Sequence, residues 1–453
     1  MRARGLVMRA VARAATFGWF RSVETSGPER VPDDGPTLVV ASHDGGFVDP
    51  VLLTATLPRF PRFLAMASLW GTAARPFLRL AGAIPVHRAS DGDTSGNVRM
   101  FEACYRVLAE GGLVGIFPEG RASDEVRLLP VKTGAARIAL GARTAGAEGL
   151  RIVPVGLMYE SKGRARARVY VRVGVPLDLD ADLGTIVPVG RRATEDDRET
   201  VAALTRVVAD RLSAVALDFD DAAQMSSLTF AATISLRPLD ADPGWRPPFS
   251  AREELATLLA EAPEALETPV RDAADSYRDA LEANAITDAG VAADPRRHRR
   301  VHLAGTALAV LLAMPAVAGV VANAVPAAIT WLAGRRPMAP VTRATVKFLV
   351  AFVCFPLTWL AWRYLPPVRD SAHPWWVTVV IGPLCGLAAA WMAARARRVR
   401  RARVNLRRLA GVGASLTELR DRRHRVVDAV ASATAGDRFG QAGIPAGRLG
   451  DRP

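Results

Sequence analysis

The last third of this chain contains three long runs without a charged side chain: Leu303–Gly334, Phe348–Trp362 and Trp375–Ala394. A membrane-spanning helix needs about 20 mostly apolar residues. The third run has that length, and the second reaches it when its flanks are included, over 346–365. Buried helices of a soluble domain are the alternative. Three such runs within 92 residues nevertheless predict a membrane segment over 301–394.

The positive charge of the chain is concentrated around these runs. Residues 295–453 hold 25 of the 59 Lys and Arg residues but 6 of the 45 Asp and Glu residues, whereas the first 294 residues are slightly acidic. A net charge of +14 would otherwise suggest a nucleic-acid partner. Because the basic tract directly follows a membrane run, we expect no nucleic acid and a location at a membrane surface.

The basic flanks also predict the topology, since positively charged loops stay on the cytoplasmic side. Arginines at 296–300 and basic residues at 335–347 flank the first run, so both of its ends are expected in the cytoplasm. The run then either re-enters as a hairpin or crosses once as a tilted span. Three residues could break the helix of a hairpin: Pro315, Asn323 and Pro326. A basic cytoplasmic tail is expected over 395–453.

The amino terminus predicts an amphipathic helix over residues 1–20. At helical spacing, one side of it carries Arg2, Arg9 and Arg13, and apolar residues occupy another side. These arginines interrupt the apolar core that a signal peptide would need. An interfacial helix on an anionic leaflet and an ordinary first helix of the fold are both open.

Strand and helix patterns alternate in the part that follows. Short apolar runs rich in β-branched residues predict buried strands at Thr37–Ser42, Leu113–Phe117 and Ile152–Tyr159. Helical patterns lie between them, at about 50–57, 94–110 and 132–145. Arg166–Val173 alternates polar with apolar residues, which predicts a half-exposed strand. We therefore expect an α/β domain over 21–215, with a mixed sheet flanked by helices, and a helical region over 216–300.

A histidine lies at the carboxyl end of the first predicted strand, where open α/β sheets usually bind their ligands. His43 is followed by a Gly-containing turn and by Asp49 and Pro50, a pair typical of a helix N-cap. Because the turn folds back, the Asp49 carboxylate can hold the imidazole, which makes His43 a general base for a hydroxyl. Asp44 is an alternative carboxylate, although adjacent side chains usually point apart. A loop histidine beside a capping aspartate is the alternative without chemistry.

Three further segments follow strands or extended runs: Gly82–Arg88, Phe117–Asp124 and Ile152–Gly156. They contain an arginine after an extended run, then Phe-Pro-Glu-Gly, and then Val-Pro in a strand. With the His43 segment, these blocks are spaced by about 35–40 residues and resemble the glycerolipid acyltransferase family, the PlsC-like group. The residues from Val114 to Gly134 are similar to the branch with fungal-type glycerol-3-phosphate and dihydroxyacetone-phosphate acyltransferases.

This resemblance implies an O-acyltransferase of phospholipid biosynthesis, with His43 as general base and Asp49 as its orienting carboxylate. The implied site for the acceptor phosphate contains Arg88, Glu119, Gly120, Arg121 and Lys132. The acyl donor would be acyl-CoA or acyl carrier protein. The acceptor would be glycerol 3-phosphate, dihydroxyacetone phosphate or 1-acylglycerol 3-phosphate. We expect an integral membrane protein with its catalytic domain on the cytoplasmic face, in a bacterial plasma membrane.

Two positions depart from the usual family pattern. Five residues separate His43 from Asp49 where four are usual, and Arg121-Ala122 stands where Thr-Arg usually follows Phe-Pro-Glu-Gly. The extra residue favours a second hypothesis, a catalytically inactive membrane lipid-binding protein on the same fold.

The sequence contains no motif that indicates covalent catalysis or metal binding. The chain has no Gly-x-Ser-x-Gly nucleophile elbow, and its three cysteines lack metal-ligand spacing. We therefore expect direct acyl transfer, no metal and no cofactor other than the acyl donor as co-substrate.

Overall fold

The computed structural model divides into two compact units, which are described separately. The first comprises Met1–Asp218 and Arg336–Phe348, and the second comprises Phe219–Arg335 and Leu349–Pro453. The structure describes residues 2–72, 74–87, 97–239, 241, 245–292, 299–300, 303–304, 306–307, 310, 313–364, 369–370, 374–376, 380–412 and 415–435.

A mixed sheet lies at the centre of the first unit. Its strands are β1 (Ser22–Ser26), β2 (Thr37–Ala41), β3 (Arg62–Met66), β4 (Ile84–Val86), β5 (Leu113–Ile116), β6 (Arg151–Tyr159), β7 (Arg168–Val173) and β8 (Leu177–Asp178). Their order is β1-β7-β6-β2-β5-β3-β4, with β8 paired to β6 outside this path. β2 is parallel to β5 and β6, whereas β6 and β7 are antiparallel. The predicted mixed α/β sheet is thus confirmed.

Helices flank this sheet: α1 (Arg2–Trp19), α2 (Val48–Thr56), α3 (Arg75–Ala81), α4 (Asn97–Ala109), α5 (Gly134–Thr144), α6 (Leu179–Ile186) and α7 (Arg198–Ser213). Leu38 and Val40 of β2 belong to one apolar cluster with residues of α5 and α7. Val39, between them, is fully buried as well. Both faces of the central strand are therefore covered, as its continuous apolar sequence predicts.

The structure corrects the expected exposure of β7. The alternating sequence predicts a half-exposed strand, but five of its six residues are buried. Two of its polar side chains, Arg168 and Tyr170, bind groups of the fold. Arg168 pairs with Glu160 at 3.3 Å, and the Tyr170 hydroxyl lies 2.5 Å from the Ser26 hydroxyl of the neighbouring strand. Paired polar groups can be buried at little cost.

Two arginines of α1, Arg9 and Arg13, contact the rest of the first unit. Arg9 donates hydrogen bonds to the Leu57 and Pro58 carbonyls at the end of α2, and Arg13 donates to the Ala55 carbonyl at 3.2 Å. The same helix leaves four large apolar side chains exposed: Leu6, Val7, Val11 and Phe17. Two arginines of the predicted face therefore bind carbonyl groups of the fold, and large apolar side chains are exposed at the surface.

The second unit is helical: α8 (Ala222–Ser235), α9 (Phe249–Ala260), α10 (Glu264–Ala283), α11 (Asp288–Val291), α12 (Ala313–Ala333), the later part of α13 (Pro340–Ala361), α14 (Gly382–Val412) and α15 (Ser415–Thr434). A buried ion pair joins Arg423 of α15 to Asp288 of α11 at 3.0 Å. Arg423 also donates to the Ile234 and Arg237 carbonyls.

The first apolar run contains α12 as one continuous helix. The helix passes through Pro315, Asn323 and Pro326, so these residues do not break it over 313–333, and the choice between a hairpin and a single span for the whole run stays a prediction. The Asn323 carboxamide accepts a hydrogen bond from Trp359 Nε1 at 2.9 Å. Its polar group is therefore satisfied without a break in the helix.

Among the described residues, one helix is long and apolar enough to cross a membrane. It comprises α13 and the 3₁₀ turn after it, Pro340–Tyr364, and 11% of its most apolar window is buried. It overlaps the span predicted over 346–365. The run over 375–394 lies partly outside the described residues, and α14 continues from it into the basic segment. The other membrane segments stay predictions.

Candidate active site

Four parallel strands end at one edge of the sheet and place the candidate residues there. β2 leads into His43, β5 leads into the loop with Glu119, and β6 ends at Tyr159. β4 ends at Val86 and is parallel to β3, which is parallel to β5. Because the carboxyl ends of parallel strands meet at the same edge, loops that are far apart in sequence converge on His43.

His43 and Asp49 are in direct contact. His43 Nδ1 lies 2.8 Å from Asp49 Oδ2, and the Asp49 side chain is completely buried while the imidazole is 15% exposed. The Asp49 carboxylate can only accept this hydrogen bond. His43 Nδ1 therefore carries the hydrogen, and Nε2 has a free lone pair. The imidazole ring stacks on Phe117, with ring centroids 4.2 Å apart. The ring is thus held both at its edge and on its face.

Two further groups hold the Asp49 carboxylate. The Gly45 N–H donates to both carboxylate oxygens at 2.9 and 3.0 Å, and the Tyr159 hydroxyl donates to Oδ1 at 2.5 Å. Burial beside Asp49 raises the pKa of Tyr159 well above its usual value, so the phenol keeps the proton that it donates. Tyr159 cannot be recognised as a site residue from the sequence, where it is only the last residue of a buried strand.

The turn between His43 and Asp49 depends on two glycines. A Cβ atom on Gly45 would lie 2.5 Å from Asp49 Oδ1. Gly46 has a φ of +65°, in the left-handed region, and a Cβ there would lie 2.5 Å from Thr345 Oγ1. The extra residue relative to the family pattern is accommodated in this turn, and His43 and Asp49 still meet.

The helix after the turn begins two residues earlier than its sequence predicts. α2 starts at Val48 with Phe47 as its N-cap, so Asp49 is not the N-cap. Its carboxylate turns instead toward His43 and the Gly45 N–H. The Phe47 N–H donates to Thr345 Oγ1 at 3.2 Å, which fixes the start of the helix from a distant segment.

Asp44, the alternative partner of His43, points elsewhere. Its carboxylate accepts from Lys162 Nζ at 3.3 Å. Burial raises the pKa of Asp44 to about 6, although Lys162 acts in the opposite direction. Asp49 is therefore the carboxylate that contacts the imidazole.

Glu119 connects the His43 loop to the loop after β5. One carboxylate oxygen accepts from the His43 N–H at 2.8 Å and the other from the Leu129 N–H at 3.4 Å. Burial raises the pKa of Glu119 to about 7. The contacts give this side chain a positioning role, and its part in an acceptor site stays a prediction.

The other predicted acceptor residues are only partly brought together. Lys132 lies against Gly120, where a Cβ atom would be 2.6 Å from Lys132 Nζ. Arg121 is exposed and forms no hydrogen bond or ion pair with the described residues. Arg88 lies outside the described residues, directly after His87, whose N–H and carbonyl bond the Asn97 side chain. Within the described chain, no cluster of His, Cys, Asp and Glu could hold a metal ion.

The fold and this site define a class of protein: an α/β domain that holds a histidine–carboxylate pair at the end of a central strand. Residues 22–158 match the family model described as Acyltransferase. These residues form a domain of the acyltransferase family, of the PlsC-like type.

Named relatives match part of the chain. An uncharacterized acyltransferase of Schizosaccharomyces pombe is 35% identical over 137 residues, 27% of this chain and 19% of that protein. Glycerol-3-phosphate O-acyltransferase 2 of Saccharomyces cerevisiae is 44% identical over 64 residues, 14% of this chain and 9% of that protein. The 1-acyl-sn-glycerol-3-phosphate acyltransferase of Bacillus subtilis is 32% identical over 120 residues, 26% of this chain and 56% of that protein.

The chain thus spans between 9% and 56% of the length of these relatives. A solved structure, the PlsC acyltransferase of Thermotoga maritima, is 21% identical with a TM-score of 0.35, over 47% of this chain and 79% of that one.

Proposed function

We propose that this protein is a membrane-bound O-acyltransferase that moves a fatty acyl group from a thioester to a hydroxyl of a glycerol-3-phosphate-type acceptor. The observation that carries the proposal is the contact between His43 and the buried Asp49 at the carboxyl end of the central strand. The match of residues 22–158 to the acyltransferase family and the names of the relatives support it.

In the proposed reaction, the acceptor hydroxyl oxygen attacks the thioester carbonyl carbon while His43 Nε2 takes the hydroxyl proton. Asp49 keeps Nδ1 protonated and stabilises the imidazolium that forms. The carbon–sulfur bond then breaks, and the imidazolium returns the proton to the leaving thiolate. The products are an ester and a free thiol, and no covalent intermediate with the protein is formed.

The acceptor phosphate is proposed to bind Arg88, with Arg121 and Lys132 as further cations. Guanidinium groups bind phosphate oxygens in pairs, which fixes the acceptor as well as attracting it. Arg88→Ala should therefore raise the KM for a phosphorylated acceptor and change kcat less. An unchanged KM would remove Arg88 from this role.

The membrane location is proposed from the helix Pro340–Tyr364 and from the basic flanks. The first turns of this helix belong to the acyltransferase unit, where Thr345 contacts the turn between His43 and Asp49. In its later turns, three apolar side chains are each more than half exposed: Val353, Leu357 and Leu360. Such a helix would hold the site next to the lipid substrates. Extraction of the protein from membranes by alkaline carbonate alone would contradict integral insertion.

The central experiment offers labelled acyl-CoA and each acceptor to purified full-length protein. His43→Ala should abolish both acyl transfer and acceptor-dependent release of CoA. His424→Ala, at an exposed position of α15, is the matched control and should leave both unchanged. Full activity of His43→Ala would refute the base assignment.

The same assay separates the second hypothesis, a catalytically inactive lipid-binding protein. The extra residue in the turn is the feature that favours it. Binding of acyl-CoA without release of CoA, in the presence of every acceptor, would support this hypothesis against the proposed enzyme.

A further inference from the structure

A second group of charged residues lies beside the candidate active site, within the first unit. An open pocket of about 440 Å³ is bounded by the β6–β7 loop, residues 161–164, and by the first two turns of α13. Pro340, Arg343 and Lys347 line it from the helix, and Asp124 lines it from the loop after β5. Pockets of this size commonly hold small molecules.

The lining is strongly cationic. It contains one carboxylate, Asp124, and four positively charged side chains: Lys162, Arg164, Arg343 and Lys347. The charge of Lys162 is partly neutralised, because its Nζ forms ion pairs with Asp44 at 3.3 Å and with Asp124 at 4.0 Å. Of the residues that the structure describes, no carboxylate forms an ion pair with Arg343 or Lys347.

The two helix cations are held in place by neutral groups. Arg343 Nη2 donates to the Met338 carbonyl at 3.1 Å, and Lys347 Nζ donates to the Gly163 carbonyl at 3.2 Å. Neither side chain has a carboxylate partner among the described residues, and this excess of positive charge in the pocket favours an anionic ligand.

The pocket is separate from the predicted acceptor residues that the structure describes. It is lined by the β6–β7 loop, α13 and Asp124, and its lining does not include Glu119, Gly120, Arg121 or Lys132. Lys162 connects the pocket to the His43 segment, because its Nζ donates a hydrogen bond to Asp44, the residue that follows His43 in the sequence.

We propose that this pocket is a second anion site, which binds a phosphate group other than that of the acceptor. Arginine and lysine side chains around one cavity are the usual recognition chemistry for phosphate. The inference rests on the proposed function for the origin of this group. A thioester donor carries phosphate on its CoA or phosphopantetheine part, and a membrane lipid carries phosphate in its headgroup.

The experiment uses the full-length protein in detergent and compares two variants with the wild type. The pocket variant is Arg343→Gln with Lys347→Gln. The control is Arg336→Gln, a cation of the same segment that is exposed and does not line the pocket. Equal midpoints of chemical denaturation show that each variant is folded, and Arg343→Lys is a second variant that keeps the charge.

Two probes distinguish the sources of phosphate. Adenosine 3′,5′-bisphosphate, the phosphate-bearing part of CoA, is titrated by calorimetry. Flotation measures binding to vesicles of phosphatidylcholine alone and of phosphatidylcholine with an equal amount of phosphatidylglycerol. The loss of two charged contacts should weaken one of these interactions about tenfold or more, and Arg343→Lys should restore part of it.

A selective loss for the bisphosphate identifies the acyl donor as the source, and a selective loss for anionic vesicles identifies the lipid headgroup. Either result supports the anion site. Unchanged affinity for both probes, or an equal loss in Arg336→Gln, overturns it. If the wild type transfers no acyl group while the pocket variant still loses binding, the proposed function fails and the anion site stands.

Discussion

Replacing Tyr159 with phenylalanine removes one hydroxyl group from the buried environment of Asp49. The hydroxyl is one of three donors to the carboxylate, beside His43 Nδ1 and the Gly45 N–H. Phenylalanine keeps the ring, which packs against Phe20 with centroids 6.0 Å apart. The substitution therefore changes a hydrogen bond and leaves the packing in place.

The magnitude follows from the charge and burial of the acceptor. A hydrogen bond to a charged group contributes about 1.5–3 kcal/mol. Asp49 is fully buried, so water cannot replace the lost donor. We expect the free energy of unfolding to fall by about 1.5–3 kcal/mol. We also expect kcat to fall about tenfold, equivalent to about 1.4 kcal/mol, because Asp49 orients the imidazole less firmly.

Chemical denaturation of the full chain and steady-state acyl transfer measure the two effects. Because Tyr159 acts through Asp49 and not on substrate, the KM values for donor and acceptor should stay unchanged. Tyr105→Phe is the matched control, since the Tyr105 hydroxyl forms no hydrogen bond with the described residues and lies on α4. If Tyr159→Phe unfolds and turns over like the wild type, this hydroxyl does not position Asp49.

Three further changes test the turn, the helical unit and the buried acid. Gly46→Ala should lower the free energy of unfolding by about 1–3 kcal/mol, because of its positive φ and its contact with Thr345, as measured by chemical denaturation. Arg423→Met should cost about 3–5 kcal/mol in the same assay, because it leaves Asp288 buried with one charge partner fewer. Glu119 keeps its proton up to about pH 7 in the folded protein but releases it near its ordinary value when unfolded. The unfolded state then binds fewer protons, so stability should fall by about 3 kcal/mol as pH rises from about 4.5 to 7, and Glu119→Gln should remove this component of the pH profile.

Each of these changes has a control. Gly35 also has a positive φ, of +74°, but no atom within 4 Å of an added Cβ, so Gly35→Ala isolates the backbone term. An equal cost at both glycines would exclude the steric contact with Thr345. Arg422→Met removes an ion pair with the exposed Glu418 and two hydrogen bonds to Ser276, and it should cost less than Arg423→Met because no buried charge loses its partner. For Glu119, a variant with the same pH dependence as the wild type would show that its carboxyl group titrates normally.

The elements with the strongest patterns are those that sequence predicts well. β2, β5 and β6 are continuous apolar runs, and their ends differ from the predicted ones by one residue. β1 (Ser22–Ser26) and β3 (Arg62–Met66) are short and partly polar, so no period in the sequence marks them as strands. Their conformation depends on pairing with β7 and β5, which are distant in the chain.

The site divides in the same way. The spacing of His43 and Asp49 is a local property, because a six-residue separation with two glycines allows the turn to fold back. The exposure of β7 is not determined locally. Arg168 and Tyr170 are buried because they bind Glu160 and Ser26. The arginines of α1 likewise bind carbonyls that only the folded α2 presents.

Sequence alone determined the α/β class, the His43–Asp49 pair and the separation of a basic, apolar carboxyl-terminal third from a slightly acidic domain. The tertiary structure alone decided which groups surround that pair. Tyr159 reaches Asp49 from 110 residues away, and Thr345 reaches the same turn from 298 residues away. Local spacing encodes contacts within a turn, whereas these contacts exist only after the sheet and α13 have brought distant segments together.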